Sequence, residues 1–161
     1  YQNSKIFTFH GRIGRLRFLA YSTLTYIIAA VFGVLALITS DLITLSEKGS
    51  ENLFVFFIYL PVFILSIMFT IRRLNDLGKV GWLCVLIFVP LINMIFGLYL
   101  IFAKWDEEQN DYGHPPEPNG AGVKFAAFSY ILIPLFGILA AIALPAYQGY
   151  IERASATQSQ P

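Results

Sequence analysis

Charge is completely sorted along this chain. Four runs, Phe18–Ile38, Leu53–Ile71, Trp82–Phe102 and Phe125–Tyr147, contain none of its 11 Lys and Arg or its 10 Asp and Glu residues. Each run has about the 20 apolar residues that a helix needs to cross a hydrocarbon core roughly 30 Å thick. A soluble core helix has no reason to exclude charge over such a length, because its outer face meets water. With 57% hydrophobic and only 13% charged residues, against roughly 25% charged in an ordinary soluble domain, nearly the whole chain is committed to spans and short connectors. The expected fold class is all-α, an integral-membrane four-helix bundle with both termini cytoplasmic.

That orientation comes from counting positive residues segment by segment. The N-terminal arm carries Lys5, Arg12, Arg15 and Arg17, and the first connector only Lys48. The second connector carries Arg72, Arg73 and Lys79, the third Lys104 and Lys124, and the tail Arg153. High values alternate with low ones. Under the positive-inside rule the arm and Arg72–Gly81 are cytoplasmic, whereas Thr39–Asn52 and Ala103–Lys124 face outward. Pro90 beside Asn93 in the third run offers an alternative, a re-entrant hairpin. The first run is longer than a signal-peptide core and lacks a small-residue cleavage site after it, so it is read as a retained span.

Candidate chemistry is sparse. His10 and His114 are expected on opposite faces of the membrane, and Cys84 stands alone inside a run, where a lone thiol is a small buried hydrophobe. No phosphate-cradling loop and no nucleophile–base pair can be assembled, so neither enzyme activity nor a metal or other cofactor is expected, and nucleic acid is not an expected partner. The runs contain no ionisable residues of the kind that mark proton relays and ion paths. Asp106, Glu107, Glu108 and Asp111 read as a solvated loop rather than a cation site. Arg72 and Arg73 precede Asp76 by four and three residues, a helix-surface spacing whose exposed ion pairs contribute only about 0.3–0.5 kcal/mol. Arg12, Arg15, Arg17, Arg72 and Arg73 are expected to form a basic collar at the cytoplasmic headgroups, touching anionic lipid or an acidic partner surface.

Four ordered motifs, "FTFHGRIGRLRFLAY", "IRRLNDLGKVGW", "PLINMIFGLYLIF" and "YGHPPEP", resemble the small bacterial inner-membrane family known as domain of unknown function 805, over about residues 5–118. The resemblance implies a multi-pass inner-membrane protein and supplies no reaction or catalytic residue. "GILAAIALPAYQGYIERA", Gly137–Ala154, resembles instead the first helix of a type IV pilin. Aligned on that helix, Lys124 takes the place of a mature pilin's first residue. Val123 stands where the processing site needs glycine, and Phe128 replaces the early glutamate. The segment is therefore expected to remain uncleaved and, with four spans, to run inward, opposite to a pilin helix. Two units follow, residues 1–118 with three spans and residues 119–161 with a linker, the pilin-like helix and a short tail. Gly137, Ala140 and Ala141 form a small face that permits close helix approach, either to Gly33 on the first span or to another protein. The expected function is that of a non-catalytic accessory or assembly subunit of a larger inner-membrane complex, of the pilus and secretion or the respiratory and transport kind, in contact with membrane lipids. The rival is a small transporter, channel or lipid-handling protein acting alone or as a homo-oligomer.

Overall fold

The computed structural model describes residues 6–43 and 50–158, and residues 44–49 of the expected outward connector lie outside them. Four α-helices follow in order, α1 (Arg15–Ile43), α2 (Ser50–Asp76), α3 (Ile92–Phe102) and α4 (Ala121–Gln158), with a 3₁₀ helix at Gly81–Phe88 between α2 and α3. Among the described residues there is no strand, only an isolated bridge between Asn110 and Gly113. The chain is all-α, as its apolar runs predict.

Stretches of α1 (Arg15–Ile38) and α4 (Ala121–Ser155) are long and apolar enough to cross a membrane, with only 11% and 6% of their apolar windows buried. That exposure separates them from the core helices of a soluble protein, whose apolar faces are covered. Helix α2 packs back along α1. Tyr21 and Phe69 meet with ring centroids 5.0 Å apart, and a Cβ on Gly33 would lie 2.8 Å from the Tyr59 hydroxyl. Gly33 therefore serves the α1–α2 contact rather than a strip facing α4. Helix α4 runs alongside α1 in the same direction: the Thr23 hydroxyl donates to the Ala126 carbonyl at 3.0 Å, and Tyr26 faces Tyr130 with centroids 6.1 Å apart.

The third run departs from the single span that its hydropathy predicts. The 3₁₀ helix and α3 are two arms of a hairpin, each roughly 16 Å long at about 2.0 and 1.5 Å rise per residue, about half the depth of a hydrocarbon core. Pro90 cannot donate a helical hydrogen bond. Leu91, at φ 67° and ψ −50°, then turns the chain while Ile92 N–H donates to the Pro90 carbonyl at 2.8 Å. This is a γ-turn of the strained, positive-φ kind. Both ends of the hairpin return to the end of α2, since a Cβ on Gly81 would meet Ile71 at 2.9 Å and Asp106 N–H donates to the Asp76 carbonyl at 3.2 Å. Three long helices and a hairpin thus stand in place of four long helices. Pro61, Pro134 and Pro145, by contrast, lie within continuous helix.

The buried core gathers at the end of the molecule to which the hairpin returns. Ile13, Phe18, Met68, Phe69, Leu74, Cys84, Phe96 and Leu100 pack there, and Cys84 takes the buried position that a lone apolar thiol favours. Toward the opposite end the helices are exposed. Every residue from Ile133 to Gln148 in α4 is open on its surface.

Candidate functional site

At the core end, the helix terminus carrying "IRRLND" does not fray into solvent. Arg73 and Asp76 stand one turn apart on α2, and the Arg73 Nη1 donates to Asp76 Oδ2 at 2.6 Å. The arm Phe7–Gly14 crosses this terminus and brings Arg12, whose Nε donates to Asp76 Oδ1 at 3.1 Å. All three side chains are 0% exposed. One carboxylate thus bridges two guanidiniums from segments 64 residues apart.

The remaining guanidinium donors are taken by backbone carbonyls. Arg12 donates to the carbonyls of Glu108 at 2.7 Å, of Gly113 at 3.2 Å and of Asp106. Arg73 donates to those of Leu100 and Ala103, each at 2.8 Å. The last two lie at the C-terminus of α3, where unsatisfied carbonyls carry partial negative charge and favour a cation. This is why the chain can bury two arginines against one aspartate. Arg72, also buried, donates to the Ile6 carbonyl at 2.9 Å, and Ile13 N–H returns a bond to the Arg72 carbonyl at 3.3 Å.

Two asparagines complete the lattice. Asn75 donates to the Gly11 carbonyl at 3.2 Å. Asn110 donates to the Asn75 carbonyl at 2.9 Å and to Asp106 Oδ2 at 3.1 Å. Burial pushes the Asp76 carboxyl above the ordinary carboxylate range, while Arg73 and then Arg12 pull it back. Burial likewise lowers Arg72 and Arg73, with Asp76 opposing the shift at Arg73, but arginine starts so high that both stay charged.

The predicted basic collar is therefore divided. Arg12, Arg72 and Arg73 are interior and hold the arm, α2, the hairpin and the following loop together. Only Arg15 and Arg17 remain at the surface. Arg15 lies over Trp105 at 4.9 Å from the ring centroid, and Arg17 reaches Glu117 at 3.9 Å and the Pro118 carbonyl at 3.3 Å. The loop from Ala103 onward and the arm are at the same end of the molecule. His10 and His114 accordingly flank the same cluster instead of facing opposite sides. The acidic loop residues behave as surface groups, with Glu107 held below its ordinary range by a 2.8 Å pair with Lys104. Among the described residues no three His, Cys, Asp or Glu side chains come together.

The small face of α4 is elsewhere. A Cβ on Gly137 meets nothing within 4 Å, and Ala140 and Ala141 are exposed, so these residues do not pack on Gly33.

Sequence reasoning singled out the arginines but missed Asn75, Asn110 and the carbonyl acceptors. The only local signal was the turn at Gly78, where φ is +63° and a Cβ would come within 2.7 Å of Asp106 Oδ2. Gly78→Ala is expected to cost about 1–2 kcal/mol from the left-handed backbone alone, lowering the melting temperature of the purified protein. An unchanged melting temperature would show that the turn can be rebuilt without disturbing Asp106.

Compared with known proteins, residues 6–114 match the family model described as "Protein of unknown function (DUF805)". No curated protein and no solved structure matches the chain. The matched segment holds every residue of the buried cluster, from Arg12 to Gly113, and stops short of α4. Covering more than half of the sequence, it places this chain in the DUF805 family.

Proposed function

We propose that the chain is a non-catalytic accessory or assembly subunit of a larger bacterial inner-membrane complex, and that it joins that complex through α4. The observation that carries this reading is the bare outer part of α4. An apolar helix that leaves its own body, with a glycine and alanine face meeting nothing, is suited to close packing on a helix of another protein.

Its direction adds a partner class. Arg12, Arg15, Arg17, Arg72, Arg73, Lys79, Lys104 and Lys124 all lie at the cluster end, and Arg153 lies at the far end of α4. The positive-inside rule makes the cluster end cytoplasmic. On this reading α1, α2 and α4 cross, the hairpin dips in and returns, and α4 runs outward. That is the direction of a pilin helix, the reverse of what four spans implied, and it favours pilus or secretion machinery over a respiratory or transport assembly. Val123 and Phe128 still argue against processing and polymerisation, so the helix serves as a fixed docking element.

The rival reading, a small transporter or channel, has one structural foothold. A cavity of about 180 Å³ lies among Ser22, Thr25, Ser66, Thr70 and Asn93. No Asp, Glu, Lys, Arg or His lines it, and the Thr25 and Ser66 hydroxyls are already spent on the carbonyls of Tyr21 and Val62. With Phe18, Phe69, Phe96 and Leu100 also lining it, it is a mixed pocket without a charge relay.

Gentle detergent extraction with identification of stoichiometric partners tests the proposal, and Gly137→Leu sharpens it. Because the new side chain enters open space, the isolated protein should keep its stability to within about 0.5 kcal/mol. Overpacking at an interface costs about 1–3 kcal/mol, so partner recovery should fall at least roughly fivefold. A destabilised monomer, or a partner recovered in full, would overturn this use of α4.

A further inference from the structure

Beside the buried cluster, a cleft of about 600 Å³ opens between α1, α3 and the start of α4, within the range of about 300–1,000 Å³ usual for small-molecule sites. Its walls are apolar side chains, among them Leu19, Leu98, Ile101 and Tyr130. Its roof is the proline-rich stretch of "YGHPPEP", of which Pro115, Pro116 and Pro118 line the space. Proline brings no backbone N–H, so this roof adds no unmet donor to an apolar chamber.

The remaining lining is different. Arg15, Trp105, Glu117 and Asn119 also border the cleft. The Arg15 guanidinium stacks on Trp105, which fixes its plane without consuming its N–H donors. Among the described residues it makes no hydrogen bond or ion pair. Glu117, the carboxylate that lines the cleft, is turned to Arg17. Asn119 Oδ1 is buried and has no hydrogen-bond partner. An oriented, uncommitted cation therefore sits over an apolar chamber, at the level where the basic residues gather and the apolar helix surfaces begin.

We infer that this cleft binds one glycerophospholipid of the surrounding bilayer, with an acyl chain between α1, α3 and α4 and the phosphate on Arg15. The guanidinium matches phosphate in charge and fork geometry. Trp105 is of the type that settles at the headgroup level, and Asn119 Oδ1 accepts from a headgroup hydroxyl such as that of phosphatidylglycerol. The inference depends on the membrane reading but not on α4 having a partner, so either can fail without the other.

The test uses the full chain purified in mild detergent, stripped of lipid, and offered phosphatidylglycerol or diacylglycerol of the same acyl composition, with bound lipid counted by native mass spectrometry. The wild type should retain one phosphatidylglycerol with at least about tenfold preference over diacylglycerol. Arg15→Gln should lose the preference, whereas Lys79→Gln, an exposed charge at the same end but away from the cleft, should keep it. Ile131→Trp, placed where Ile131 is 58% exposed at the cleft, should block both lipids, and it carries the test should Arg15→Gln fail to fold. Equal loss with Lys79→Gln would reduce the effect to general surface charge and overturn the site. Undiminished lipid in Ile131→Trp, or a preserved preference in Arg15→Gln, would overturn it as well.

Discussion

Asp76→Ala is expected to destabilise the protein by about 3–5 kcal/mol. Among the described residues Asp76 is the sole carboxylate shared by Arg12 and Arg73, all three with fully buried side chains. Removing one partner of such a group costs about 3–5 kcal/mol because it strands buried charge, against a total stability of roughly 5–15 kcal/mol for most domains. The variant should be recovered in lower yield, and its thermal transition, followed by the emission of Trp82 and Trp105, should be much lowered. A melting temperature within a few degrees of wild type would mean that water or lipid phosphate can take over from Asp76.

A companion variant separates charge from bonding. If the cluster mattered only through neutrality, replacing Arg12, Arg73 and Asp76 together by apolar residues would restore the fold, as buried ion pairs often tolerate. Here it should not. The carbonyls of Leu100, Ala103, Asp106, Glu108 and Gly113 would lose their donors, and a carbonyl that stays buried without a new donor, as at Leu100, costs about 1–3 kcal/mol.

The second large effect is all-or-none. With Cys84 replaced by Ala, a cysteine at Ser155 should be labelled in intact cells by an impermeant thiol reagent. A cysteine at Gln109 should be reached only after permeabilisation. Both positions are exposed, so access depends on the side of the membrane. The arm and the 106–113 loop share one set of hydrogen bonds, so they are on the same side, and α4 departs from that side. Labelling of Gln109 from outside would require the cluster end to face outward, against eight positively charged side chains.

The three long helices were legible because apolar length alone specifies them. The run Phe18–Ile38 lies inside α1, Leu53–Ile71 inside α2 and Phe125–Tyr147 inside α4. The hairpin was not, since hydropathy sums composition and carries no direction: the run Trp82–Phe102 is apolar whether it continues or doubles back. Pro90 next to Asn93 was the one visible sign. Counting charge then compounded the error, because Ala103–Lys124 has few positive residues and its acids weigh little in the rule. The cluster was half legible. The spacing of Arg72 and Arg73 to Asp76 marked a pair, but local spacing predicts an exposed one. Its burial comes from Arg12 and from carbonyls up to 101 residues away in sequence, and backbone carbonyls leave no trace in residue type.

The same cluster sets an order of events during synthesis. Arg12 emerges first, Arg73 and Asp76 emerge together much later, and the carbonyls of Asp106, Glu108 and Gly113 come last. At roughly 5–20 residues per second, the stretch between Asp76 and Gly113 takes about 2–7 s to make. Throughout that interval the nascent chain holds two guanidiniums against one carboxylate, with most of their acceptors not yet formed. The hairpin and its loop are thus the last pieces to arrive and the first to permit closure, so a ribosome halted before Gly113 should leave the arm still open to protease on its own side of the membrane.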